Sequence, residues 1–204
     1  MTRIDNAEIA ELLGGAPVMA IFRGLGPRRS LELAERAWEL GIDAVELPIQ
    51  SAEDVEALRL VAEAARGTAR VVGAGTVVSA EQVELAARAG AAFTVSPGFD
   101  EAVVRASAAA GLPPLPGVAT ATEVQRAAAL GLSWLKAFPA ASLGPGWFRA
   151  MRGPFPEVRF VATGGLDAGN AGDFLAAGVR SVAVGSALED ESQLARLAEL
   201  LRRG

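Results

Sequence analysis

One phrase recurs eight times along this chain: an alanine-rich helical stretch, a glycine, two to five residues, then a short apolar run rich in valine or other sheet formers. The glycines are Gly15, Gly41, Gly67, Gly90, Gly111, Gly131, Gly153 and Gly178, separated by 26, 26, 23, 21, 20, 22 and 25 residues. A glycine closing a helix fits a left-handed C-terminal cap, and an apolar run without polar alternation reads as a strand buried on both faces. The expected strands are Val18 to Phe22, Ala44 to Leu47, Arg70 to Gly73, Phe93 to Ser96, Pro114 to Gly117, Trp134 to Phe138, Arg159 to Ala162 and Ser181 to Val184. Helix starts agree: Ser79-Ala-Glu-Gln82 and Thr120-Ala-Thr-Glu123 have the form of capping boxes, and Ser51 and Asp100 fit N-caps. An unbroken series of eight strand-helix units predicts a parallel sheet closed on itself, an α/β fold of the (β/α)8 TIM-barrel type forming a single domain over residues 1–204. Ile4 to Leu13 reads as an extra N-terminal helix that covers the barrel floor. The rival is an open doubly wound sheet. It would carry a glycine-rich dinucleotide fingerprint after its first strand, and Gly24-Leu25-Gly26 lacks the third glycine at the required spacing.

Composition then narrows the chemistry. The chain has no histidine, no cysteine and no tyrosine. Ser-His-Asp hydrolysis, Cys-His chemistry and His-ligated zinc are therefore closed to it, and disulfides with them. What remains for proton transfer is carboxylates, hydroxyls, water and amines. The net charge of -5 and the scattered arginines argue against a nucleic-acid partner. The chain starts Met1-Thr2-Arg3-Ile4-Asp5, and no apolar run approaches the ~20 residues of a membrane span, which gives the expectation of a cytoplasmic protein without a membrane partner.

In such a barrel, functional residues stand at the C-terminal ends of the strands. Those ends carry Arg23, Glu46, Thr76, Ser96-Pro97, Thr120, Lys136, Thr163-Gly164-Gly165 and Gly185-Ser186. Lys136 is the only lysine among 19 basic residues. A guanidinium stays charged almost anywhere, whereas an amine among apolar neighbours can lose its proton and become a nucleophile; a chance survivor of arginine-biased codon usage is the bland reading. Side chains alternate along a strand, so if Val45 and Leu47 face the helices, Glu46 faces the lumen. The second and sixth strands are both even-numbered, which can set Glu46 and Lys136 in one interior layer. Two readings stand: a buried ion pair, or a Schiff-base lysine with a carboxylate proton shuttle. The glycines of Thr163-Gly-Gly165 and Gly185-Ser186 close the seventh and eighth strands, where barrels of this kind commonly hold phosphate on backbone N–H groups. Alternatively they are tight turns.

These residues resemble the bacterial 2-keto-3-deoxy-6-phosphogluconate (KDPG) and 4-hydroxy-2-oxoglutarate (KHG) aldolases, over about Ala16 to Glu189. Val45-Glu46 is similar to the motif carrying the family's general acid/base, and Gly73-Ala-Gly-Thr76 to the one whose threonine contacts the pyruvyl carboxylate. Ser96-Pro-Gly98, Pro116-Gly-Val-Ala-Thr120 and Lys136-Ala-Phe-Pro139 resemble the next three motifs, with Lys136 at the imine-forming position. Thr163-Gly-Gly165 and Gly185-Ser186 resemble the phosphate loops. The resemblance implies a cytoplasmic homotrimer, needing no metal or organic cofactor, that acts on a small 2-keto acid. It implies Lys136 and Glu46 as catalytic, Thr76, Arg23 and Gln50 at the substrate carboxylate, Pro97, Phe138 and Thr163 against the substrate, and Gly164, Gly165, Gly185 and Ser186 at its phosphate.

One position departs from the phosphogluconate pattern. Where those enzymes place a carboxylate-gripping arginine, this chain has Gln50, in Glu46-Leu-Pro-Ile-Gln-Ser51. The related 2-keto-3-deoxy-6-phosphogalactonate (KDPGal) aldolases carry an amide there, and also resemble Ile21-Phe-Arg-Gly24 and Phe138-Pro-Ala-Ala-Ser-Leu-Gly-Pro145. An amide grips a carboxylate less strongly than a bidentate arginine, and Arg23 is the candidate for the missing charge. The leading expectation is reversible cleavage of a 2-keto-3-deoxy-6-phospho sugar acid to pyruvate and glyceraldehyde 3-phosphate. The alternatives are cleavage of 4-hydroxy-2-oxoglutarate to pyruvate and glyoxylate, an isomerase or synthase using Glu46 alone as base, and a non-catalytic phosphosugar-binding barrel.

Overall fold

Each apolar run of the repeat becomes a strand lying parallel to its neighbours. The computed structural model describes residues 3–13, 16–185, 193, 196 and 197. The order is α1 (Glu8–Leu12), β1 (Val18–Ile21), α2 (Gly26–Glu39), β2 (Ala44–Pro48), α3 (Ala52–Ala65), β3 (Val71–Gly75), α4 (Ala80–Arg88), β4 (Phe93–Val95) and α5 (Glu101–Ala109). It continues with β5 (Pro114–Leu115), β6 (Gly117–Val118), α6 (Ala121–Leu130), β7 (Trp134–Ala137), α7 (Ala140–Arg152), β8 (Arg159–Thr163), α8 (Ala171–Ala176) and β9 (Ser181–Val184). Seven expected strands are found within two residues of their expected ends. The fifth is split: β5 pairs with β4 and β6 pairs with β7, leaving Pro116 between them. Pro113, Pro114 and Pro116 have no N–H to give a ladder, so the strand is held in two short pieces. The Pro116 carbonyl still accepts from Lys136 N–H at 2.9 Å, which carries the ring across the break. The sheet is thus a nearly closed (β/α)8 barrel in which β5 and β6 together are the fifth strand.

The repeat glycines behave as C-caps for a stated reason in most cases: Gly41, Gly67, Gly90, Gly111, Gly131 and Gly178 all have φ between 73° and 106°, where a side chain is strained. Gly153 is different, with φ -62°, so its helix ends without a left-handed residue. Gly15 lies outside the described residues. Ser51, Ser79, Asp100 and Thr120 each accept a backbone N–H of the first helical turn. Only Thr120 and Glu123 form the full reciprocal box, because Gln82 reaches one residue further back, to Val78 N–H.

Two cores follow from strand alternation. Val45, Leu47, Val72, Ala74, Leu135 and Ala137 pack outward against the helices, while Met19, Ala44, Phe93, Val95, Leu115, Val161 and Ala183 fill the lumen. The Phe93 ring occupies the space that a side chain on Gly73 would need. Below the lumen, helix α1 is shorter than the expected Ile4 to Leu13. Its would-be first turn is spent on the barrel: Ile4 N–H donates to Leu130 O, and the buried Asn6 amide donates to Pro114 O and Trp134 O while accepting from Ser133 and Trp134 N–H. Ile9 and Leu13 then close the floor against the lumen side chains. On the outside, Trp147 and Phe148 of α7 meet Phe160 of β8 edge to face, and Phe148 meets Phe174 of α8 likewise. Among the described residues, no helix is long and apolar enough to cross a membrane.

Candidate active site

Lys136 stands on β7, in register with Gly117 of β6 on one side and Val161 of β8 on the other. Its residue is 4 % exposed, and Nζ lies 3.8 Å from Glu46 Oε1 and 5.2 Å from the centre of the Phe138 ring. Glu46 is fully buried, on the lumen face that its outward neighbours Val45 and Leu47 dictate. Room for its carboxylate comes from Gly75 on β3, where an added Cβ would overlap the Glu46 side chain. At 3.8 Å the pair is in Coulombic contact but beyond hydrogen-bond length. Neither Glu46 oxygen accepts a hydrogen bond from the protein. A carboxylate with unspent acceptors is costly to bury, so its lone pairs are available for a proton in transit.

Above this pair opens a cavity of about 660 Å³ at the C-terminal end of the barrel. Lys136, Arg23, Thr76, Pro97, Phe138, Thr163, Gly164, Gly165 and Gly185 line it, nine of the twelve positions expected from the sequence. The charged residues of the wall are Arg23 and Lys136, both cationic, which suits an anionic ligand. Glu46 sits behind Lys136, outside the wall itself. Gln50 is also outside it: its Oε1 accepts from Arg23 Nη1, and its N–H donates to Asp54 Oδ2, at the N-terminus of α3. An exposed guanidinium is thereby tied to a fixed helix end. Ser186 lies outside the described residues.

Two backbone features shape the wall. Thr76 has φ 57°, the one non-glycine residue at positive φ among those described, and a β-branched residue there is strained. Gly164 and Gly165 follow each other at φ 98° and 73°. A Cβ on Gly164 would lie 2.9 Å from the Phe138 ring, and one on Gly165 would lie 2.6 Å from Ala141 Cβ. The loop is clamped by Ala141 N–H to Gly164 O at 3.0 Å and by Asn170 Nδ2 to Gly165 O at 3.0 Å. Helix α8 starts only at Ala171, so Gly164 and Gly165 belong to the loop between β8 and that helix. The Thr163 hydroxyl oxygen is buried at the cavity without a hydrogen-bond partner.

Sequence reasoning missed Ile21, Leu25, Leu166 and Ala183, which complete the wall. Ile21 and Ala183 follow lumen-facing Met19 and Ser181 by two residues and were readable from strand alternation; Leu25 and Leu166 sit in loops, where no period applies. Among the described residues, no three carboxylates cluster closely enough to hold a metal ion.

Comparison with known proteins points in one direction. A family model described as KDPG and KHG aldolase matches residues 9–200. A Rhizobium meliloti protein named "Probable 2-dehydro-3-deoxy-6-phosphogalactonate aldolase" is 38% identical over 173 residues, 84% of this chain and 81% of that one. The Escherichia coli 2-dehydro-3-deoxy-6-phosphogalactonate aldolase is 34% identical over 84% of each chain. The structure of KDPG aldolase from Legionella pneumophila, with pyruvate captured as a covalent carbinolamine intermediate, superposes with a TM-score of 0.82 at 29% identity, covering 94% of this chain and 95% of that one.

Proposed function

This chain belongs to the KDPG and KHG aldolase family, and on that premise we propose that it reversibly cleaves a 2-keto-3-deoxy-6-phospho sugar acid to pyruvate and glyceraldehyde 3-phosphate through a Schiff base on Lys136. It is a class I aldolase, a carbon-carbon lyase. The observation that carries the residue assignment is the buried amine 3.8 Å from a carboxylate with unspent acceptors, beneath a cavity whose charged wall is cationic.

Lys136 Nζ adds to the C2 ketone, and loss of water gives the protonated imine. That imine accepts the electron pair of the C3–C4 bond as it breaks. Glu46, reaching the cavity directly or through one water, takes the C4 hydroxyl proton and returns a proton to C3 of the resulting enamine; hydrolysis then releases pyruvate and restores the amine. Arg23, Thr76 and Gln50 serve the carboxylate end, with Gln50 acting by holding the Arg23 guanidinium. Pro97, Phe138 and Thr163 border the carbon chain. Gly164, Gly165, Gly185 and Ser186 serve the phosphate end. Fixing both anionic ends places the scissile bond over the amine, the source of most of the orientation advantage. The reading extends to a homotrimer acting in the cytoplasm in Entner-Doudoroff-type sugar-acid breakdown, in line with the family resemblance.

Two relatives named as phosphogalactonate aldolases, together with Gln50, favour the galactonate epimer. Turnover of the two C4-epimeric phosphorylated keto acids, measured side by side, tests this: kcat/KM is expected to be higher for the galactonate type. Cleavage of 4-hydroxy-2-oxoglutarate with equal or greater kcat/KM would move the assignment to the unphosphorylated substrate.

A further inference from the structure

A second set of cationic side chains gathers at the opposite end of the barrel. Between α1 and the starts of β7, β8 and β9 lies a cavity of about 360 Å³. Arg159 and Arg180 line it, and so does Ser181, which is 1 % exposed and whose hydroxyl has no hydrogen-bond partner. Leu13, Ala16 and the half-buried indole of Trp134 supply an apolar wall. The packed lumen, with Met19, Phe93 and Val161, separates this cavity from the mouth above Lys136.

Several arginines on the helix faces are paired with carboxylates where these two are not. Arg59, Arg66 and Arg88 each face a glutamate three or four residues away. Arg159 Nη1 donates to Pro156 O at 2.8 Å and, at 3.5 Å, to Val158 O, which leaves Nε and Nη2 unspent, and among the described residues neither Arg159 nor Arg180 forms an ion pair. Two like charges lining one concavity repel, and a buried hydroxyl without a partner carries an unmet desolvation cost. A single anion offsets both terms. The volume falls within the range of small-molecule sites, and guanidinium forks match carboxylate and phosphate oxygens.

We propose that this floor cavity is a second ligand site, separate from the catalytic one, for a small organic anion. Its phosphate or carboxylate head is held by Arg159, Arg180 and Ser181, and its apolar body lies against Trp134 and Leu13. The test is nitrogen-15 NMR of the three tryptophan indoles, with the Trp134 signal identified by W134F, during titration with phenyl phosphate and separately with benzoate. The site predicts a saturable shift of the Trp134 signal, at least tenfold weakened in R180Q and absent in R159Q/R180Q, with aldol turnover unchanged in R180Q. A response to one probe only assigns the head group. A Trp134 signal that neither probe moves, or one that moves equally in wild type and R180Q, overturns the proposal; R180Q decides alone if the double variant does not fold, since Arg180 is exposed.

Discussion

At the scale of single residues, chemistry and local strain meet around one amine. Lys136 was legible because a chain that uses arginine eighteen times and lysine once marks the exception, and Glu46 because its neighbours Val45 and Leu47 had to face the helices. The strain at Thr76 was not legible, since no residue type announces a positive φ forced on a threonine by its surroundings. Nor could the sequence say that Gln50 would meet Arg23 instead of the cavity wall: that contact joins two loops 27 residues apart. Glu46→Gln keeps the shape but removes the base, and kcat is expected to fall by about 10²–10⁴ with the fold intact by circular dichroism. Thr76→Gly relieves a strain of about 1–3 kcal/mol against a backbone-entropy cost of up to about 1 kcal/mol. The expected result is a urea midpoint equal to or above wild type, together with a raised KM for the keto acid; a lowered midpoint with unchanged KM would contradict it.

At the scale of elements, caps and prolines decide where helices begin and where the sheet breaks. The Thr120-Glu123 box was readable as a motif, and so were the other N-caps, because capping is local chemistry. The split of the fifth strand and the short α1 were misjudged for opposite reasons. Pro116 lies inside an otherwise strand-like run, and the apolar pattern from Ile4 to Leu13 hides the demand that the barrel floor makes on Asn6. The box also gives a pH dependence. Glu123 has its pKa held below 4.5, first because its carboxylate accepts Ala119 N–H, and further by the Thr120 hydroxyl and N–H; partial burial opposes this. A carboxyl with a depressed folded pKa adds stability that is complete above about pH 4.5 and is lost as pH falls through the folded value. Urea midpoints of wild type and Glu123→Gln should therefore differ at pH 7 and converge in acid. Thr120→Ala should cost about 1 kcal/mol at neutral pH.

At the scale of the whole molecule, eight repeats sufficed to read a closed parallel barrel, because period and buried-strand pattern leave few other ways to bury so many apolar runs. The catalytic end followed from the rule that strand C-termini carry function, which located eight cavity residues before any distance was known; Phe138, the ninth, came from the family resemblance. The floor cavity stayed hidden, since Arg159, Arg180 and Ser181 look in sequence like ordinary strand starts, and the concavity under them forms only when α1 packs below the paired starts of β8 and β9. The central claim is that the amine of Lys136 carries the reaction, and because the chain has a single lysine the claim can be tested by covalent trapping. Protein incubated with pyruvate and borohydride, digested and mapped by mass spectrometry, should carry one reduced pyruvyl adduct on Lys136, absent in Lys136→Met together with all aldol turnover. An unmodified Lys136 in active enzyme, or near-normal turnover in Lys136→Met, would contradict it.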